Sequence, residues 1–259
     1  MFLSRKSKSS RSKGLVTMAM PLLLAVASVA HSDDVKVMSV NAVKDAYLEL
    51  IPQFEAKTGN RVLMTWSGSV DMMKRLKADE PFDVVIIGSD SLDELIKLGK
   101  IDAGSRMIVA KSGIGVAVRT GAPRVDIGTS DAVKRFLLTA KSVGYSTGPS
   151  GVFLEGLFVR MGIADELKSR LKVPPSGVSV GQMVAQGGAE VGFQQVSELV
   201  HVPGIDFLGP LPADIQKITA FSSGVSVRAT SANAATALVR FLTSPVAVPV
   251  LAKNGLEPG

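Results

Sequence analysis

Serine, threonine, asparagine and glycine collect in this chain at four short stretches, each between an apolar run and a helical period. They are Ser39-Val40-Asn41, Trp66-Ser67-Gly68-Ser69, Gly88-Ser89-Asp90-Ser91 and Ser146-Thr147-Gly148-Pro149-Ser150-Gly151. A helix start leaves backbone N–H groups without partners and turns the positive end of its dipole outward. With hydroxyl donors alongside, such starts bind an anion without any formal positive charge. The same residue types also serve as ordinary N-caps, each stabilising its own helix by about 1 kcal/mol. Capping is the better reading for Ser89, Asp90 and Ser91, because Asp90 would repel an anion. At Ser67-Gly68-Ser69 and Ser150-Gly151 both roles stay open, since glycine permits close backbone approach.

Gln194 and Gln195 close a short apolar run and can each donate and accept, which suits a polar ligand as well as a solvated strand edge. Other chemistries are poorly supplied. There is no Cys, which excludes disulfides, thiolate metal sites and a cysteine nucleophile. Only His31 and His201 exist, too few for a His-rich catalytic metal site. A serine–histidine–aspartate triad would have to use His201, and no G-x-S-x-G elbow accompanies it. Glu155, Glu166, Glu190 and Glu198 show no paired spacing of the glycosidase kind. Gly113-Ile114-Gly115 lacks the third glycine and the acidic residue of a dinucleotide fingerprint.

The elements that must position these residues alternate in type, as in an α/β protein with parallel strands. Strands are expected at 35–38, 61–65 and 83–87, each followed by a helix, at 43–57, 70–78 and 92–98. Extended segments follow at 108–109 and 115–118. A second series has a helix at 130–140, a strand at 142–145, helices at 152–161, 164–171 and 180–186, and a strand at 191–194. An extended stretch at 217–227, a helix at 233–242 and another after Pro245 complete the chain. In open α/β sheets ligands sit beyond the carboxyl ends of strands, where the four polar stretches lie. The expected organisation is two lobes, 31–115 with 206–259 and 116–205; one continuous doubly wound domain is the competing arrangement.

The first thirty residues read differently. Arg5, Lys6, Lys8, Arg11 and Lys13 precede an apolar run over 15–27, and Ser28-Val29-Ala30 follows. That is the pattern of a secretory signal peptide cleaved after Ala30, and the run is too short to span a bilayer. An exported, periplasmic protein is therefore expected. Removing those five cations takes the formal charge from +6 to +1, and no later basic cluster interleaves aromatics. Nucleic acid is a poor partner for such a chain.

Taken in order, these residues resemble the periplasmic solute-binding proteins of ABC importers, in particular the molybdate-binding-like branch. The likeness runs from Ser39 through Ser67-Gly68-Ser69, Phe82-Asp83-Val84-Val85-Ile86 and Gly148-Pro149-Ser150-Gly151-Val152. It continues in Gly192-Phe193-Gln194-Gln195-Val196-Ser197-Glu198-Leu199 and ends at Phe241-Leu242-Thr243-Ser244-Pro245. The resemblance implies a two-lobed type II fold whose lobes close on a small anion. Ser39, Ser67 and Ser69 would contribute from one lobe, Ser150, Gly151 and Val152 from the other. The family usually offers a tyrosine hydroxyl on the late strand, where Phe193-Gln194-Gln195 stands here. With Asn41 beside the first serine, these amides suit a small organic acid at least as well as molybdate.

A related branch, similar at 194–199 and at Pro203-Gly204-Ile205-Asp206-Phe207, includes exported aconitate isomerases. Such an enzyme needs a base of raised pKa beside the bound carboxylates, for which Glu198, Glu155 and His201 are the candidates. Two functions are thus expected to compete. One is a monomeric, cofactor-free and metal-free binding protein that hands a carboxylate or oxyanion to an ABC permease. The other is an isomerase on the same scaffold.

Overall fold

The computed structural model describes residues 1–3, 32–175 and 178–259; the signal-peptide reading falls almost wholly outside them. The first lobe opens with β1 (Asp34–Val40), α1 (Lys44–Thr58), β2 (Arg61–Ser67), α2 (Ser69–Lys77), β3 (Val84–Gly88), α3 (Ser89–Lys97) and β4 (Met107–Ser112). The chain crosses at Gly113 into β5 (Ile114–Arg119), α4 (Ser130–Thr139), β6 (Val143–Tyr145), α5 (Pro149–Arg160), α6 (Ala164–Leu167), β7 (Leu171–Lys172), α7 (Val180–Ala185), β8 (Val191–Gln195) and β9 (Ile205–Pro210). It then returns to the first lobe with β10 (Thr219–Val225), α8 (Ala232–Leu242), α9 (Ala247–Lys253) and β11 (Glu257–Pro258).

Two mixed sheets result. The first has strand order β11-β4-β10-β3-β1-β2 and the second β7-β6-β8-β5-β9. β1, β2 and β3 run parallel, with Ser39 level with Trp66 and Ile86. The continuous apolar run of β3 is buried on both faces, as a central parallel strand requires. α1 buries Ala46, Tyr47, Leu50, Ile51 and Phe54, a spacing that keeps one helical face on the sheet, and it stops at Gly59 in the left-handed region (φ 76°).

β9 hydrogen-bonds to β5 from Ile205 to Pro210, which puts 206–210 in the second sheet rather than with the first lobe. Likewise Ile114 and Gly115 already pair with Gln195 and Gln194, so the first crossing comes at Gly113, earlier than expected. Pro203-Gly204 and Gly209-Pro210 bracket the 205–210 run with turn residues, which disguises it as a loop. The helix expected at 164–171 ends at Leu167, and Leu171–Lys172 becomes a short edge strand beside β6.

Side chains lock the two crossings together. Gln216 Nε2 donates to the Ile114 and Leu211 carbonyls at 3.0 and 3.3 Å, while its Oε1 accepts from Ile114 N at 2.7 Å. Ser112 Oγ lies 3.4 Å from both the Ser197 N–H and the Gly255 carbonyl.

Candidate functional site

The carboxyl ends of the strands in both lobes point into one seam. A Cβ added to Gly148 would stand 3.7 Å from Ser69 Oγ, and one on Gly88 would stand 3.5 Å from Pro149 Cγ. The α2 and α3 starts of the first lobe therefore meet the α5 start of the second. Behind them, Gln195 Nε2 donates to Thr219 Oγ1 at 3.0 Å, linking the end of β8 to the beginning of β10.

The α5 start is built tightly. Pro149 occupies the first helical position, where its fixed φ fits and its missing N–H costs nothing. Val152 N donates to the Gly148 carbonyl at 3.1 Å, which leaves the Ser150 and Gly151 N–H groups without helical acceptors. Ser150 is buried, with its Oγ 3.2 Å from Ser146 Oγ, and Ser146 Oγ accepts from Gly148 N at 3.3 Å. A Cβ on Gly151 would fall 1.5 Å from the Ser146 carbonyl oxygen, so only glycine fits there.

On the opposite side, Ser39 is fully buried at the end of β1, with its hydroxyl making one long bond of 3.3 Å to the Val40 carbonyl. Ser69 is the first residue of α2 and half-buried, and a Cβ on Gly68 before it would meet nothing within 4 Å. Ser67 behaves differently: it gives its proton to Asp71 Oδ2 at 2.5 Å. Asn41 opens the short 3-10 turn after β1 and is exposed. Ser89 acts inside its own lobe, donating to the Ala220 carbonyl at 3.1 Å and lying 2.7 Å from Ser222 Oγ.

Two expected ligand contacts are corrected by this geometry. The Val152 N–H is used within α5 and its side chain is 66% exposed, so it has nothing to offer a ligand in the seam. Gln194 has both amide ends occupied, accepting from Val180 N at 3.0 Å and donating to Glu198 Oε1 at 2.8 Å. It anchors the start of α7 on one face of the second sheet. Gln195, the next residue along the strand, projects from the other face, where Phe193 packs with Leu154, Leu157 and Phe158 of α5.

The three candidate bases also separate. Glu155 is exposed on the flank of α5 and accepts from Tyr145 Oη at 3.0 Å; burial, and then this carboxylate, raise the Tyr145 pKa. His201 is exposed and lies near Glu49, whose carboxyl is held below its usual range by Asn254 and Lys253 first and only weakly by His201. Glu198 is pushed up to about 7 by burial; the Gln194 amide opposes the rise, and the Asp45 charge in the first turn of α1 adds to it. Asp45, Asp71 and Thr219 all shape this seam without standing out in the sequence as site residues. Thr219 carries no signal there, being one polar residue inside an extended stretch.

A cavity of about 360 Å³ opens at the other end of the first sheet, among Lys36, Asp83, Lys100 and Arg228. Asp83 beside it is a structural clasp. Its carboxylate accepts from Lys36 N at 2.8 Å, Thr230 N at 2.6 Å, Thr230 Oγ1 at 3.1 Å and Ser231 N at 3.2 Å.

Two sheets joined by paired crossings, with helix starts meeting in the seam, describe a binding-protein architecture, and residues 35–257 match the family described as bacterial extracellular solute-binding protein. The chain belongs to that family. It is 36% identical over 251 residues to an aconitate isomerase of a Pseudomonas species, covering 95% of this chain and 94% of the relative. It is 26% identical over 244 residues to the molybdate-binding protein ModA of Azotobacter vinelandii, covering 89% and 92% of the two chains. Among solved structures, the periplasmic molybdate-binding protein of Azotobacter vinelandii superimposes with a TM-score of 0.73 at 18% identity, covering 87% of this chain and 99% of that one. The last likeness establishes the ModA-type fold.

Proposed function

We propose that this chain captures a small organic carboxylate in the seam between its lobes and delivers it to an ABC permease. The observation that carries the reading is the meeting of helix starts: Ser69 Oγ near Gly148, with the Ser150 and Gly151 N–H groups behind it unpartnered among the described residues. Uncharged donors arranged this way suit an anion, and their lack of formal charge leaves the ligand able to depart. Ser39 completes the set from the first lobe, and Gln195 supplies an amide where a tetrahedral oxyanion needs only a compact ring of donors. Export to the periplasm, a monomeric state and cleavage after Ala30 belong to the same reading; amino-terminal sequencing of the secreted protein tests the cleavage, with His31 expected as the first residue.

A second reading, an aconitate isomerase, is favoured by the 36% identical relative and by Glu198. A carboxyl with a pKa of about 7 can take and return a proton near neutral pH, as moving a double bond next to a carboxylate requires. Glu198 stands on the Gln194 side of the sheet, away from Ser150, so the acid would have to reach past the end of β8. Calorimetry against citrate, aconitate, sulfate and molybdate tests the binding reading, and heat from a carboxylate is expected. No binding by any of them removes it. Incubation with trans-aconitate, followed by proton NMR, tests the isomerase; conversion that disappears in Glu198→Gln supports it, and no conversion by the parent protein removes it.

A further inference from the structure

The inner end of β8 holds an amide whose two atoms fare differently. Gln195 is 2% exposed; its nitrogen donates to Thr219 Oγ1, whereas its Oε1 accepts no hydrogen bond from any described residue. A buried acceptor without a donor is destabilising, and the neighbouring residue makes the contrast plain, since both amide ends of Gln194 are used. The location is specific as well. Tyr145 on β6 is level with Phe193 on β8, so Gln195, two residues on, stands beside the Ser146–Ser150 turn. Thr219 opens β10, whose next residue accepts from Ser89 at the start of α3. The unpartnered oxygen is therefore held between the helix starts of the two lobes.

The candidate ligand contacts around it can donate: the Ser39 and Ser69 hydroxyls and the Ser150 and Gly151 N–H groups; the Asp45 and Asp71 carboxylates of the seam are exposed, and Asp71 is engaged by Ser67. A fully ionised oxyanion satisfies those donors but sets lone pairs against Gln195 Oε1. We propose that Gln195 Oε1 is the specificity-determining acceptor of the seam, selecting an organic acid that carries a proton donor of its own, an alcohol hydroxyl or one un-ionised carboxyl. This rests on the carboxylate-binding reading and narrows it to a ligand class.

The test compares acids that differ by one hydroxyl: citrate against tricarballylate, and malate against succinate. Each is titrated calorimetrically near neutral pH in two buffers of different protonation enthalpy, alongside sulfate and molybdate. The hydroxy acid is expected to bind about ten- to a hundredfold more tightly than its deoxy partner, or the deoxy acid to bind with uptake of about one proton. Gln195→Met, similar in length but without a strong acceptor, should bring that ratio close to one. Gln195→Glu, which keeps an acceptor, should preserve the preference at lower overall affinity and guards against a Met variant that folds poorly. Equal affinity within each pair without proton uptake overturns the proposal, as does an unchanged ratio in Gln195→Met. Tighter binding of sulfate or molybdate than of any carboxylate also overturns it and would mean that the amide presents its N–H₂ to the ligand. If no acid and neither oxyanion binds, the carboxylate-binding reading itself fails, a result distinct from the others.

Discussion

Gly151→Ala tests the construction of the α5 start more sharply than any other single change. The new Cβ would sit 1.5 Å from the Ser146 carbonyl oxygen, where an unstrained carbon–oxygen contact is about 3.3 Å, so backbone must move by about 1.8 Å. The atom met is backbone, not the end of a flexible side chain, and the two residues are tied together through Ser146 Oγ and Ser150 Oγ. Overpacking of this kind costs about 1–3 kcal/mol or more, equivalent to a fall in Tm of roughly 2–12 °C for a chain of this size. The same displacement takes the Ser150 and Gly151 N–H groups out of hydrogen-bonding range of a ligand, for a loss of affinity of about tenfold to a hundredfold. Gly156→Ala, in the same helix, is the control. Its Cβ would meet only Arg160 Nη1, at 3.4 Å, and alanine is the better helix former by about 1 kcal/mol, so Tm should rise by about 2–4 °C with affinity unchanged. Thermal melts and calorimetry on the pair read both effects. If Gly151→Ala melts at or above the parent's Tm, the close approach of Ser146 to Gly151 is refuted.

Other substitutions separate the remaining roles. Ser150→Ala should weaken ligand binding by about 1–3 kcal/mol with little change in Tm, whereas Ser67→Ala should change affinity far less, because Ser67 spends its proton on Asp71. Calorimetry distinguishes the two, and equal losses would contradict the assignment. Asp83→Ala leaves three backbone N–H groups and one hydroxyl without their acceptor and should cost about 3–5 kcal/mol in urea unfolding, with affinity intact in the folded fraction. Glu198 titrates higher in the folded state than the ordinary 4.5, so its contribution to stability is complete below that value and lost as pH rises through about 7. Glu198→Gln should flatten this fall, gaining about 1–3 kcal/mol over the parent at pH 8 on the urea scale; identical pH profiles would show that Glu198 is not desolvated.

Much of this architecture was legible because burial patterns are local. The apolar run of β3, the face of α1 ending at Gly59 and the paired βα units all announce themselves through periodicity and stop signals. Boundaries moved where residues had two uses. Gly148-Pro149-Ser150-Gly151 reads as a turn before a helix at Val152, yet Pro149 starts the helix, so the two free N–H groups belong to Ser150 and Gly151. The α3 start at Ser89 was hidden in the same way by its Ser-Asp-Ser composition. Partner choice was not legible at all. Nothing in the sequence says that Ser67 gives its proton to Asp71, that Gln194 faces α7 while Gln195 faces Thr219, or that Glu198 stands near Asp45. Those facts depend on which strand end meets which helix start across the crossings, and that is set by tertiary packing.

The central claim is that a small anion is held between the helix starts of the two lobes, and backbone NMR tests it most directly. With an organic acid at saturation, the account predicts the largest amide shifts at Ser39, Ser69, Ser150, Gly151 and Gln195, with Ser150 and Gly151 N–H moving downfield as they donate. Shifts centred instead on Lys36, Asp83, Lys100 and Arg228, around the cavity at the far end of the first sheet, would contradict it.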